Sequence, residues 1–304
     1  MNKSHIYGVL LLLIGLSTGC SVRRVAVNKL GNALAGSGAT FASDDDPQLI
    51  RDAVPFSLKL MESLLAESPR HRGLLLAACR GFTQYAYAFV QEDADEVEGR
   101  DVAAANVLRA RARRMYLRAR DYGLRGLALK HPGFDIALRQ NPQQAVRQIR
   151  SISQAPLLYW TAASWGAAIS ASKDAPELLA EQPVVEALID RALQLDDEFN
   201  AGAIHGFLVS YEPSRQGVRG DSAARSRIHF EKAIELSGGK LASPYVSLAE
   251  TVSVSKQDRA EFQSLLQKAL AINPDVNPES RLENLVMQRR AKWLLSRVDE
   301  LFVE

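Results

Sequence analysis

Apolar residues recur three and four positions apart along most of the chain, and no stretch alternates in the way a half-buried strand would. This spacing predicts helices at about 47–67, 71–91, 100–130, 142–150, 156–172, 183–194, 198–211, 222–236, 244–254, 258–271 and 278–301. Several starts are marked chemically. Asp46-Pro47, Asn141-Pro142, Ser243-Pro244 and Asn277-Pro278 each join a side-chain acceptor to a proline whose fixed φ suits the first helical turn. Asn141 with Gln144 has the spacing of a capping box. Pro55 falls inside the first segment and is expected to kink it or move its start. Residues 21–43, with Gly36-Ser37-Gly38, read as a tether followed by weak structure.

A repeat runs through the C-terminal half. Arg191-Ala192-Leu193-Gln194-Leu195-Asp196 returns as Lys232-Ala233-Ile234-Glu235-Leu236-Ser237 and as Lys268-Ala269-Leu270-Ala271-Ile272-Asn273, followed by Pro274. The alanines at 192, 233 and 269 lie 41 and 36 residues apart, close to the tetratricopeptide period of about 34 residues. Phe230, three before Ala233, and Pro274, five after Ala269, also fit that motif. A small residue at these positions lets two helices approach closely, and such pairs bury their apolar faces only by stacking. The expected fold is therefore all-α, a tetratricopeptide-like helical-repeat solenoid of about eleven helices over residues 44–304. The alternative is a generic helical bundle.

The first residues read as an address. Lys3 is followed by the uncharged apolar run Ile6–Leu16, too short to span a bilayer core of about 30 Å but suited to a signal peptide. Leu16-Ser17-Thr18-Gly19-Cys20 then resembles the lipobox of a bacterial lipoprotein, with Ser17 where the usual leucine stands. The expected organisation is a signal peptide at 1–19, a lipidated N-terminus and tether at 20–43 with Cys20 acylated, and the helical domain beyond. Ser21, rather than an aspartate, points to the outer membrane, with the chain facing the periplasm. The other reading is an ordinary secreted protein.

Composition narrows the function. Two cysteines exclude a disulfide framework, and 37 basic against 35 acidic residues give no bulk attraction to nucleic acid. Cys79, within Leu-Leu-Leu-Ala-Ala-Cys79, reads as a small buried hydrophobe. HExxH, CxxC, GxSxG and GxGxxG are all absent from the sequence. Gly238-Gly239-Lys240 resembles the end of a phosphate-binding loop, but Leu241 follows, and a helix C-cap is the plainer reading. His205 and His229 are expected to be packed or surface residues. No catalytic residue, metal site or cofactor is predicted.

Two features bear on binding. Seven arginines fall between 109 and 125, after the acidic stretch Glu92–Glu98, which reads as a loop. Mutual neutralisation explains much of this; a patch for an anionic partner, carried by Arg111, Arg114, Arg118 and Arg125, is the functional reading. Residues 151–172 carry no charge and 74–90 only Arg80. Both are expected to be buried central helices, and Phe82, Tyr85, Phe89, Tyr159, Trp160 and Trp165 are candidates to line a ligand cavity or channel.

The order of segments resembles the TatT family, the T component of tripartite ATP-independent periplasmic (TRAP) transporters. The resemblance rests on the lipoprotein leader, Phe41–Pro47, Tyr85–Phe89, Ala119–Leu124, Tyr159-Trp160, Ser164–Gly166, Phe230–Ala233, Ala269–Pro274 and Gln288–Leu295. It implies a helical periplasmic lipoprotein without enzyme activity, forming homo-oligomers, trimers in the family, and associating with the transporter's solute-binding (P) component. It also implies a channel or cavity that helps deliver ligand to that component. A cell-envelope assembly scaffold that binds no solute is the alternative, and an envelope hydrolase a distant third.

Overall fold

The computed structural model describes residues 25–172, 175–215 and 217–303. The leader and Cys20 lie outside them. Every regular element among the described residues is helical.

The helices begin where short polar side chains can cap them. Asp46 accepts from Gln48 N and Leu49 N at 2.9 and 3.0 Å, Asp101 from Ala104 N at 2.9 Å, and Asn141 from Gln144 N at 3.1 Å. Ser243 does not cap: its hydroxyl donates to Glu283 Oε1 at 2.7 Å instead. In chain order, residues 25–36 form α1, Gly38–Ala42 α2, Pro47–Glu67 α3 and Arg72–Ala86 α4. A π-turn, Tyr87–Gln91, leads into α5, Glu92–Glu98, followed by α6, Val102–Ala128, α7, Phe134–Gln140, and α8, Pro142–Arg147. Next come α9, Ala155–Ser170, α10, Pro176–Leu179, α11, Gln182–Leu195, α12, Phe199–Tyr211, and α13, Ser222–Ser237. α14, Ser243–Leu248, runs into a second π-turn, Ala249–Ser253; α15, Arg259–Ala271, α16, Arg281–Leu295, and α17, Val298–Leu301, complete the fold.

The long helices follow the apolar spacing; the additional elements are short or polar. Residues 25–42, expected as tether and weak structure, are mostly helical, and Ser68 Oγ donates to Asn28 Oδ1 at 2.8 Å to tie α1 to the body. The acidic stretch is a helix, not a loop. α3 runs through Pro55 and keeps its start at Pro47. Gly238 takes φ +58° as the C-cap of α13, the left-handed conformation that favours glycine.

The core forms three linked clusters. The first lies between α3, α4 and α6 and includes Leu74, Leu75, Phe82 and Tyr116. The second, around Leu157, Trp165, Leu188 and Ile204, joins α6, α9, α11 and α12. The third, around Val246, Phe262 and Leu294, joins α14, α15 and α16. Glycines let α6 press onto α9. A Cβ at Gly123 would stand 2.1 Å from Thr161 Oγ1, and one at Gly126 would stand 2.7 Å from Leu157 Cδ2.

The packing order closes on itself. α4 touches α9, α9 touches α12, α12 touches α14 and α14 touches α16, while α6, α11, α13 and α15 pack against this inner series. In an open solenoid each unit would meet only its neighbours. Here α16 also touches α2 and α3, and Leu282 on α16 packs against the first cluster.

Candidate functional site

Charged groups line the closure. α5 presents Asp93, Asp95 and Glu96 to two neighbouring arginines of α16. Arg289 donates to Asp93 Oδ1 and Glu96 Oε2, both at 2.8 Å, and Arg290 donates to Asp95 Oδ2 at 2.8 Å. Arg290 also pairs with Glu250 in the second π-turn. From the other side, Arg51 of α3 grips Asp93 with two bonds of 2.6 and 2.8 Å, and Arg109 of α6 reaches Glu98 at 2.6 Å and Asp95 at 3.3 Å. Burial opposes the charge of Arg290, but Glu250, with Tyr87 and Glu92 adding to it, holds the guanidinium above its ordinary range. Such a pair is costly to break from one side, because the surviving charge is left buried.

Glu92 departs from this pattern. It is 1 % exposed, and neither of its carboxylate oxygens has a hydrogen-bond partner among the described residues. Burial pushes its pKa up to about 7, with Glu250 adding to the rise and Arg290, Arg289 and the Tyr87 hydroxyl opposing it. The Tyr87 hydroxyl nearby is directed at Met287 Sδ, 3.7 Å away on α16.

The six aromatic candidates separate into two groups. Phe82, Tyr85 and Phe89 are buried in the first core cluster, where Phe82 stacks on Tyr122 with centroids 6.0 Å apart. Trp165 is fully buried in the second cluster; its Nε1 donates to Glu181 Oε2 at 2.8 Å, and Arg120 and Arg139 lie over its ring. Tyr159 and Trp160 are only partly buried, edge-to-face at 4.9 Å, with Phe199 5.3 Å from Tyr159. Burial raises the pKa of the Tyr159 hydroxyl, and Glu283 on α16 raises it further. Glu283 is exposed to solvent and accepts from the Ser243 hydroxyl at 2.7 Å. On α4, Gln84 is exposed in mid-helix, and one turn before it the partly buried Arg80 has no charged partner among the described residues.

Arg111, Arg114, Arg118 and Arg125 all lie on the exposed face of α6. The last three line a shallow groove of about 370 Å³ with Leu117, Asp121 and Tyr122. Arg118 lies 5.3 Å over the Phe82 ring and Arg125 5.3 Å over Tyr122, which fixes the direction of both guanidinium groups. Arg109 and Arg120 turn away to Glu98 and Asp121.

Two groups singled out by type have structural surroundings. Cys79 is fully buried and its thiol is pushed up to about 12, far from a reactive thiolate. His205 and His229, on α12 and α13, meet Nδ1 to Nδ1 at 2.9 Å, and burial lowers both pKa values. Nearby Glu212 is already held by Arg225 at 2.5 Å and Arg215 at 3.1 Å.

The α5–α16 seam has no simple sequence signal, since its partners are almost 200 residues apart. The seven arginines between 109 and 125 outnumber the five carboxylates of the acidic run, so nothing local points to partners on α16.

Comparison with known proteins gives the same assignment as the order of segments. The chain is 28 % identical over 306 residues to an uncharacterized protein of Treponema pallidum (strain Nichols), covering 95 % of each chain. Residues 43–302, which include every inner helix and both sides of the seam, match the family described as TRAP transporter T-component, and the chain belongs to that family.

Proposed function

We propose that the chain is a lipid-anchored accessory component facing the periplasm, that it docks the solute-binding component of its transporter, and that ligand passes along its inner helix faces. The accessory role in TRAP transport follows from family membership. The observation that carries the passage is the state of Glu283 and Gln84. Both are exposed to solvent although they sit on helices of the closed inner series. Solvent-exposed polar side chains on inner helices, near the partly exposed Tyr159 and Trp160, are what a ligand path between those helices would present.

Docking falls in this reading to the exposed arginines of α6, whose guanidinium groups suit carboxylates of a partner surface. No described helix is long and apolar enough to cross a membrane; acyl chains on Cys20 supply the attachment, at about 0.8 kcal/mol per buried CH₂. Tethering keeps the partner concentrated near the membrane. Homo-oligomerisation, as trimers, belongs to the same proposal.

The test is affinity capture of the tagged full-length chain from its own envelope, with mass spectrometry of what accompanies it. A solute-binding protein at near-stoichiometric amount, lost when Arg111, Arg114, Arg118 and Arg125 are changed to Glu, supports the reading. Recovery of envelope-assembly proteins, with no solute-binding protein at any salt concentration, overturns it in favour of a scaffold. Cys20→Ala should release the protein from membranes; continued incorporation of a lipid precursor would refute the anchor.

A further inference from the structure

The seam that closes the helical circle contains one carboxyl that its neighbours do not neutralise. Asp93, Asp95, Glu96 and Glu98 all reach arginines at 2.6–3.3 Å. Glu92, which opens the same helix, reaches none and is almost wholly buried. The groups that face it are known from each element around it. Tyr87 comes from the first π-turn, Glu250 from the second, Arg289 and Arg290 from α16, and Tyr116 from α6. The two arginines are already engaged, Arg289 by Asp93 and Glu96, Arg290 by Asp95 and Glu250. Tyr116 donates its hydroxyl to Gln91 Oε1 at 2.7 Å, and Tyr87 points to Met287. Among the described residues, the Tyr87 hydroxyl is the one uncharged donor beside Glu92, and no free guanidinium is left for an ionised carboxylate.

Both π-turns border this point, one leading into Glu92 and the other carrying Glu250. A π-turn inserts a residue into the helical ladder and often marks a functional position. Glu250 of the second turn bonds Arg290, while Glu92, directly after the first turn, bonds no arginine among the described residues.

We propose that the α5–α16 seam is proton-linked: it stays closed while Glu92 is protonated, and deprotonation of Glu92 opens it, releasing α16 from α5. The physical reason is the mismatch in count. A neutral Glu92 can be accommodated among filled ion pairs. An anionic one adds an unpaired charge beside Glu250, and relief comes when the seam parts and water reaches the carboxylate. The sign follows from linkage. Glu92 binds its proton more tightly in the closed state than in the open one, so closure weakens as pH rises from the ordinary carboxyl range up to about 7, and levels off above. This inference does not depend on transport or on any ligand.

Amide hydrogen exchange of the full chain, between pH 5.5 and 8.5 and corrected for intrinsic base catalysis, reads the opening directly. The opening constant of α16 amides should rise by up to roughly tenfold per pH unit until neutrality and then flatten, while α9 amides stay protected. Glu92→Gln should remove the rise and keep α16 protected throughout. Glu250→Gln frees Arg290 for Glu92 and should move the rise to lower pH; it provides an independent reading should Glu92→Gln fold poorly. An unchanged rise in Glu92→Gln, a flat profile in the wild type, or loss of α9 protection in step with α16 would each overturn the proposal.

Discussion

Arg290 meets Asp95, 195 residues earlier in the chain, at 2.8 Å, and so joins the last long helix to the first half of the fold. Arg290 is 8 % exposed and also holds Glu250. Removing it leaves carboxylates at a buried boundary without their counter-ion. Arg290→Ala should destabilise the protein by about 3–5 kcal/mol in urea unfolding. Arg290→Met in a Glu250→Gln background should recover part of the loss, because an uncharged pair leaves no stranded charge at position 250. Loss of less than about 0.5 kcal/mol in Arg290→Ala would mean the seam does not hold the fold together.

A second prediction concerns the approach of α6 to α9. Thr161 Oγ1 sits where a Cβ of residue 123 would be, with Cys79 Sγ 3.0 Å from the same point. The Thr161 hydroxyl is itself bonded to Leu157 O at 2.5 Å, so it cannot move aside freely. Gly123→Ala should therefore cost about 1–3 kcal/mol despite alanine's better helix propensity. Adding Thr161→Ala should recover some of it, since the worst contact is then gone. If Gly123→Ala raises stability in thermal unfolding, the helices are not in van der Waals contact there.

Much of this was readable in advance, for identifiable reasons. Helices such as α3, α11 and α15 follow from apolar spacing and from Asp46 and the repeated alanines, which are local signals. Ala192, Ala233 and Ala269 are buried as the repeat requires. The polar helix α5 was not readable, because an acidic run has no apolar stripe; its order comes from Arg51, Arg109, Arg289 and Arg290 on three other helices. An aromatic at helical spacing likewise does not say which way it faces. Trp160 and Trp165 are five residues apart on one charge-free helix, and one is partly exposed while the other is fully buried.

The histidine pair gives a pH prediction of opposite sign to that of Glu92. With Nδ1 atoms 2.9 Å apart, one ring donates and the other accepts, so both cannot carry two protons. Burial lowers the folded pKa of each, and His229 lowers that of His205 further. The unfolded chain then binds more protons, so this contribution falls as pH drops below about 6.5. Thermal unfolding of His205→Gln should lose less stability between pH 7 and 5 than the wild type. Equal losses would show that the pair does not titrate with folding.

The aromatic residues of α9 separate passage from packing. Trp165 is fully buried and hydrogen-bonded to Glu181, so Trp165→Ala removes a large core side chain and leaves an acceptor without its donor. It should cost about 3–5 kcal/mol in denaturant unfolding and reduce every function in proportion to lost folded protein. Trp160 and Tyr159 are partly exposed and pack edge-to-face on each other, and Tyr159 also packs on Phe199. Trp160→Ala should cost less stability, about 1–2 kcal/mol, and should slow solute uptake through the transporter by more than the fall in folded protein explains. Uptake normalised to folded protein separates the cases. A deficit in Trp160→Ala but not in Trp165→Ala places Trp160 on the ligand's path, whereas unchanged normalised uptake in both makes the aromatic face of α9 ordinary packing.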